Sequence, residues 1–171
     1  TRTLTVHDNY MFTQTDQIAN HGAGPVSLAP FAAVVRVEIP ADNVHAGVVH
    51  EGLVATYPNA VRDGKVDHYV TTSLKYKDLA KDSQKKNVVS KPSVGGWFGI
   101  TDRYWMAAVI PDQKQSVNFT AVADASGAKP IFRTGYTDNQ VTVAPGQTWQ
   151  AQSRIFAGAK DNSVLEGYEA S

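Results

Sequence analysis

Apolar and polar residues alternate along most of this chain, which is the pattern of β-strands with one buried face. The alternation is clear at 3–7 and, after a turn at Asp8-Asn9, at 10–19. Turn residues such as Asp63-Gly64 separate the runs, because Gly adopts positive φ without strain. Many short strands with regular turns predict an all-β fold, an antiparallel β-sandwich. Further strands are predicted at 26–39 (interrupted by Pro30), 53–61, 65–72, 73–77, 87–91, 117–123, 130–136, 140–143 and 148–156.

One short helix is predicted near the C-terminus. Ser163 and Glu166 have the spacing of a capping box, in which the hydroxyl and the carboxylate satisfy amides of the first turn. Val164, Leu165 and Tyr168 then share one face at helical spacing. Because so short a helix is marginal alone, we expect it to pack on a sheet or to continue in a longer protein.

The stretch 95–111 has the most specific pattern in the chain. Two apolar runs, 97–100 and 104–110, flank a polar corner at 101–103, and Pro111 ends the second run. Two of the three tryptophans lie here. The stretch therefore predicts a hairpin in the core of the sandwich.

Composition narrows the function. The chain has 171 residues, 42% of them hydrophobic, and its 16 basic residues balance 16 acidic ones. This length suits one domain, 1–171, and the balanced charge argues against a nucleic-acid partner. Cysteine is absent, which excludes disulfides and thiol chemistry. No apolar run reaches the ~18 residues that a membrane span needs.

Histidines and carboxylates are the candidates for chemistry. His50-Glu51 lacks the second histidine of a zincin helix, and no nucleophile elbow or phosphate loop occurs. His45 and His50 could meet as metal ligands across a loop, but surface or hydrogen-bonded structural roles are the alternative. Glu38, Glu51 and His50 are the only candidates for acid–base work in a sugar epimerase. We predict no catalytic residue, no metal and no cofactor.

The hairpin supplies the candidate binding residues. Asp102 and Arg103 could pair as a substrate clamp or could fix the corner, where an Asp accepts backbone amides. The aromatic residues could line a groove for an extended peptide or a sugar, or could fill the sandwich interior. A lysine-rich stretch, 75–91, could bind a partner or lipid headgroups, or could be a solvated loop or guarded edge. The candidate groove residues are Trp97, Phe98, Asp102, Arg103, Tyr104 and Trp105.

The hairpin also resembles a family signature. The pattern GGWxGxTDxYW, followed by an apolar run and Ile-Pro, is similar to the periplasmic domain of the bacterial membrane protein insertase YidC. The resemblance is collinear along nearly the whole chain. Besides the hairpin it includes residues 3–6, 10–20, 24–28, 50–52, 76–79, 143–147, 156–160 and 165–169.

The resemblance implies a fold, a location and a function. The fold is a large β-sandwich, the family's "supersandwich", of which this chain would be the C-terminal part, excised as a soluble fragment from an inner-membrane protein. The domain would lie on the periplasmic face of the inner membrane and perform no catalysis. Its partners would be accessory subunits of the Sec translocon and nascent membrane proteins. A carbohydrate-binding or sugar-epimerase-like sandwich is the competing interpretation.

Overall fold

A computed structural model describes residues 1–39, 50–62, 65–80 and 87–169. Within these ranges the chain forms strands and two short helices. In chain order they are β1 (Arg2–Val6), β2 (Met11–Ala19), β3 (Val26–Leu28), β4 (Phe31–Val37), β5 (Gly52–Arg62), β6 (Lys65–Lys75), α1 (Tyr76–Ala80), β7 (Asn87–Val94), β8 (Trp97–Thr101), β9 (Trp105–Ile110), β10 (Ser116–Asp124), β11 (Ile131–Asp138), β12 (Val141–Val143), β13 (Thr148–Ala159) and α2 (Asn162–Glu169).

The strands form two large sheets and one small one. A seven-stranded sheet has the order β1-β2-β13-β9-β8-β5-β6, and a four-stranded sheet has the order β4-β11-β10-β7. The small sheet pairs β12 with β3. Every described pairing is antiparallel. The predicted all-β fold class is confirmed.

The core lies between the two large sheets, because each contributes one alternating apolar face. On β10 every second residue from Val117 to Ala123 is buried, while Ser116 and Asn118 are exposed. Phe119 of this strand stacks on Phe98 of β8, with ring centroids 4.8 Å apart and planes 11° apart. The two faces therefore meet in one continuous apolar cluster.

The outer side of the seven-stranded sheet has a second apolar cluster. Helix α2 contributes Val164, Leu165 and Tyr168 to it. They pack on buried Ala108 and Phe156, which lie on β9 and β13. Both faces of these central strands are thus covered, and the predicted apolar face of the helix is confirmed.

Pro30 interrupts the run 26–39 as predicted, and its two parts are β3 and β4, which lie in different sheets. The predicted boundary between 65–72 and 73–77 is wrong. The runs 65–72 and 73–77 form the single strand β6, since no Gly or Pro interrupts them, and the chain turns into helix α1 at Tyr76. The predicted turn at Asp63-Gly64 lies outside the described residues.

The predicted capping box of α2 is also wrong. The cap is Asp161, whose carbonyl accepts the Leu165 amide at 3.0 Å and whose Oδ1 accepts the Ser163 amide at 2.9 Å. The Ser163 hydroxyl donates to the same oxygen at 2.6 Å. These bonds lower the pKa of Asp161 from its usual value.

We expect Asp161→Ala to lower the melting temperature more than Ser163→Ala does, since only the first change removes the cap. A pKa that is depressed in the folded state gives stability that is present above the unfolded pKa. That stability is lost as pH falls through the folded pKa. The melting temperature of wild type and Asp161→Ala should therefore converge on acidification, and a constant difference at all pH values would contradict this assignment.

One buried hydroxyl has no hydrogen-bond partner among the described residues. Thr134 is fully buried on β11, between Phe132 and Tyr136 on the inward face. An unsatisfied buried hydroxyl destabilises a protein by about 1–3 kcal/mol. We expect Thr134→Val to raise the free energy of unfolding by about 1 kcal/mol. Chemical denaturation measures this, with Thr134→Ser as the control that keeps the hydroxyl and should be destabilised.

Candidate functional site

The predicted hairpin is formed by β8 and β9. Phe98 pairs with Val109 and Thr101 with Met106. The Asp102 amide donates to the Trp105 carbonyl at 2.8 Å and closes the corner. The prediction of a hairpin at this position is confirmed.

The paired glycines that begin the hairpin have a structural role. Gly95 and Gly96 both have positive φ, 64° and 92°. A Cβ on Gly96 would lie 2.6 Å from the Thr56 carbonyl oxygen on β5. Gln113 also brackets Gly96: the Gly96 amide donates to Oε1 and Nε2 donates to the Gly96 carbonyl, each at 3.1 Å. The GG of the signature is thus required for close backbone packing.

Asp102 joins three separate elements. Its Oδ2 lies 2.7 Å from Arg36 Nη1 on β4, in the opposite sheet. Its Oδ1 accepts the hydroxyl of Tyr76, the first residue of α1, at 3.2 Å. The pairing of Asp102 with Arg103 is therefore wrong, because the carboxylate turns inward. Its partners are also side chains rather than the corner amides that we predicted.

The electrostatics around Asp102 fit a structural ion pair. Burial, then the Asp102 charge, raises the pKa of Tyr76 above its usual value, so its hydroxyl stays protonated and donates. Burial also lowers the pKa of nearby Lys160, while the charges of Glu51 and Asp102 oppose that shift. The Arg36 guanidinium balances the Asp102 carboxylate. The contacts of Asp102 thus link the two sheets to each other and to α1.

The candidate aromatic residues do not share one groove. Phe98 is fully buried between the sheets, and Trp97 packs with the outer cluster below α2. Tyr104 and Trp105 are 62% and 61% exposed at the corner, with the Arg103 guanidinium 5.2 Å from the Tyr104 ring centroid. The expectation that these aromatic residues fill the interior is thus correct for Phe98 and wrong for Tyr104 and Trp105. Strand alternation assigns a residue to a face but does not show where the covering sheet ends.

Of the three acid–base candidates, Glu38 and His50 have partners for their side chains, and the backbone carbonyl of Glu51 accepts the Tyr76 amide at 3.2 Å. Glu38 forms an ion pair with Lys129 at 2.5 Å. His50 Nε2 lies 3.3 Å from the Leu53 carbonyl oxygen, which accepts its hydrogen bond. Within the described ranges, no group of three or more histidines and carboxylates could hold a metal ion. His45 and much of the lysine-rich stretch, 81–86, lie outside the described residues.

Among the described residues, no strand pairs with the outer side of β4, so β4 forms an open edge of the four-stranded sheet. The Glu38 amide donates to the Pro130 carbonyl at 2.9 Å, and the Asp138 amide donates to the Pro30 carbonyl at 2.7 Å. In an antiparallel pair, alternate residues form hydrogen bonds with the partner strand. The backbone N–H and C=O groups of the even-numbered residues of β4 therefore bond to β11. The odd-numbered ones present backbone groups to the open edge: Phe31, Ala33, Val35 and Val37.

The exposed side chains of β4 are apolar, whereas the strand at the opposite edge of the sheet carries residues that oppose strand pairing. Phe31, Val35 and Val37 are 76%, 50% and 51% exposed. Strand β7, at the other edge of the same sheet, carries Lys91 and Pro92, which discourage strand pairing. The charge that β4 carries, Arg36, points inward to Asp102, and the side chains on its outer face are apolar. An edge with exposed apolar side chains is typical of a surface that another segment covers.

Comparison with known proteins decides the family. The sequence model described as the YidC periplasmic domain matches residues 1–171. This chain belongs to the YidC periplasmic domain family. Membrane protein insertase YidC of Rhizobium etli (strain CIAT 652) is 37% identical over 171 residues, which are 100% of this chain and 26% of that protein. Membrane protein insertase YidC of Brucella suis biovar 1 (strain 1330) is 37% identical over 169 residues, 98% of this chain and 25% of that protein.

The chain thus spans about a quarter of the length of the curated YidC relatives that it matches. Neither helix in the described part of the chain has the length and apolar character that crossing a bilayer requires. The resemblance seen in the sequence is confirmed at the level of the family.

Within this YidC periplasmic domain, sequence reasoning missed Arg36 and Tyr76 as partners of Asp102. A signal was present for the first. Arg36 has the same strand parity as Ala32 and Val34, which predicts that it points inward. A cation on an inward face needs an acidic partner, although the sequence does not identify which acid supplies it.

Proposed function

We propose that this chain is the C-terminal part of the periplasmic β-sandwich domain of a YidC-type membrane protein insertase. It lies on the periplasmic face of the bacterial inner membrane and carries out no catalysis. The observation that carries the proposal is the family match along all 171 residues. The structural roles of Gly96, Phe98 and Asp102 support it, since packing and a structural ion pair account for these three signature residues without assigning them any chemistry.

The parent protein assists insertion and folding of inner-membrane proteins, alone or with the Sec translocon. Insertion requires that polar, hydrated segments enter lipid, where unsatisfied backbone groups cost several kcal/mol. This domain takes no part in that step. It contacts accessory subunits of the translocon and nascent membrane proteins, and supports the membrane-embedded part. Its balanced charge, 16 basic against 16 acidic residues, gives no support for a nucleic-acid partner.

The open β4 edge supports the assignment to a larger domain. Uncovered apolar residues at an unpaired edge favour aggregation in a free domain. Further strands of a longer parent would pair with the backbone groups of Phe31 to Val37 and place their own side chains beside these exposed ones. In the described part of the chain the seven-stranded sheet faces a sheet of four strands, which leaves room for such an extension.

A cross-linking experiment tests the partner assignment. A photoreactive residue is placed at exposed positions of the chain in the full-length parent, and membranes are probed for adducts with Sec accessory subunits and a nascent single-span protein. We expect adducts at some exposed positions and none from Phe98, which is buried. Adducts with neither partner, at any position, would count against the proposed function.

A sugar assay tests the competing function. The purified chain is assayed for mutarotation and screened on a glycan array, with Glu51→Gln and His50→Ala as controls. The proposal predicts no turnover and no binding. Turnover that either substitution abolishes would show that the epimerase interpretation is correct.

A further inference from the structure

We propose that the tip of the β8–β9 hairpin is a lipid-contacting element. We call Arg103, Tyr104 and Trp105 the aromatic corner. The aromatic corner enters the headgroup region of a bilayer and holds the domain against it. This inference rests on the proposed function, which places the chain beside a membrane.

The chemistry of the aromatic corner suits a lipid interface. Tyr104 and Trp105 are more than half exposed, although such large rings are usually buried. Tyrosine and tryptophan favour the membrane–water interface, because an apolar ring and a polar group are accommodated together there. The Arg103 guanidinium lies over the Tyr104 ring and supplies a cation for lipid phosphates.

The aromatic corner is rigid, so its contact with lipid orders few groups. The Trp105 carbonyl accepts the Asp102 amide, and the Tyr104 carbonyl accepts the Lys160 amide, each at 2.8 Å. Asp102 is itself fixed by Arg36 and Tyr76. A backbone that is fixed before contact loses little conformational entropy on binding.

A further exposed aromatic residue lies near the aromatic corner. Tyr10 is 43% exposed, and its carbonyl accepts the Ala157 amide at 3.0 Å. Ala157 and Ala159 pair with Ala107 and Trp105 at the start of β9. The β1–β2 turn and the aromatic corner therefore lie at the same end of the seven-stranded sheet.

The aromatic corner fits a bilayer better than a protein partner. A stable protein interface buries about 800 Å² on each partner, which is more than the tip of a tight hairpin offers. Interfacial insertion needs only a few amphipathic side chains. Because the aromatic corner combines two rings with the Arg103 cation, we expect contact with both zwitterionic and anionic lipid.

Vesicle flotation of the purified chain tests this inference. One set of vesicles is phosphatidylcholine alone, and the other is a 3:1 mixture of phosphatidylcholine with phosphatidylglycerol. The comparison measures the contribution of the Arg103 charge, because each basic residue near an anionic surface adds ~1 kcal/mol to binding. We expect the Tyr104→Ala, Trp105→Ala double variant to lower the partition coefficient about tenfold, since two rings lose their buried area. Phe31→Ala, at an exposed aromatic residue on the other sheet, is the matched control and should leave the coefficient unchanged.

Fluorescence gives a second readout on folded protein. Trp105 emission should shift to shorter wavelength on binding and be quenched by brominated lipid chains. Trp105→Phe, a conservative change, should retain most of the binding but lose most of the quenching. Melting curves of each variant confirm that the fold is kept, as expected for side chains this exposed.

Three results would overturn the inference. The first is that the wild type does not float with vesicles, and the second is that wild type and double variant float equally. The third is that binding requires anionic lipid and is abolished by salt for the wild type and the double variant alike. If wild type does not float but the double variant loses Sec cross-links in the parent, the aromatic corner is a protein contact instead. Flotation of the chain without any insertase activity of the parent would contradict the proposed function and leave the lipid contact standing.

Discussion

Replacing Phe98 by Ala is expected to lower the free energy of unfolding by about 3–5 kcal/mol, the usual cost of removing a buried phenylalanine. Phe98 is 0% exposed and stacks on Phe119 from the opposite sheet. It also contacts Tyr136, with ring centroids 6.1 Å apart. The substitution would leave a cavity between the two sheets. Because the sheets are rigid where their faces meet, the surrounding side chains can fill little of it.

Chemical denaturation monitored by circular dichroism measures this effect. Phe31→Ala is the matched control, because Phe31 is 76% exposed on β4. Its change should stay within about 0.5 kcal/mol, as is usual for surface substitutions. Similar losses for the two variants would mean that the sheets do not pack through Phe98.

Replacing Asp102 by Ala is expected to lower the free energy of unfolding by about 2–3 kcal/mol, the cost of leaving a buried hydrogen-bonding group without its partner. The hydroxyl of Tyr76, a fully buried residue, loses its acceptor. The loss of the Arg36 pair adds less, because the Arg36 side chain is 35% exposed and solvent screens it.

A double-mutant cycle separates these contributions. In a Tyr76→Phe background the hydroxyl is already gone, so Asp102→Ala should cost less than it does in the wild type. Equal costs in the two backgrounds would show that Asp102 and Tyr76 are not coupled. Arg36→Gln provides the corresponding test for the ion pair.

Local patterns in the sequence predict the elements of this fold well. Alternation depends on neighbouring residues, so β10 and the apolar face of α2 follow directly from it. Gly95 and Gly96 mark the start of the hairpin because positive φ is a local property. Errors occur where tertiary contacts determine the secondary structure. Tyr76 is predicted in a strand, but it begins helix α1, and its buried ring packs on Phe132 with centroids 4.7 Å apart.

The candidate site depends still more on distant contacts. Asp102 meets Tyr76 from 26 residues away and Arg36 from the other sheet. No local pattern identifies such partners, and the neighbouring Arg103 was the wrong choice for that reason. The exposure of Trp105 likewise depends on how far the four-stranded sheet extends, which strand alternation does not encode.

The most direct test of the central claim places Asp102→Ala in the full-length parent and measures both membrane protein insertion and the folded amount of the domain. The account predicts that insertion falls only as far as the folded amount falls. It also predicts that Thr134→Val, added as a stabilising second change, raises both together but only in part, because its gain of about 1 kcal/mol is smaller than the loss. Loss of insertion at an unchanged folded amount would contradict it, since Asp102 would then have a role in the activity beyond holding the two sheets together.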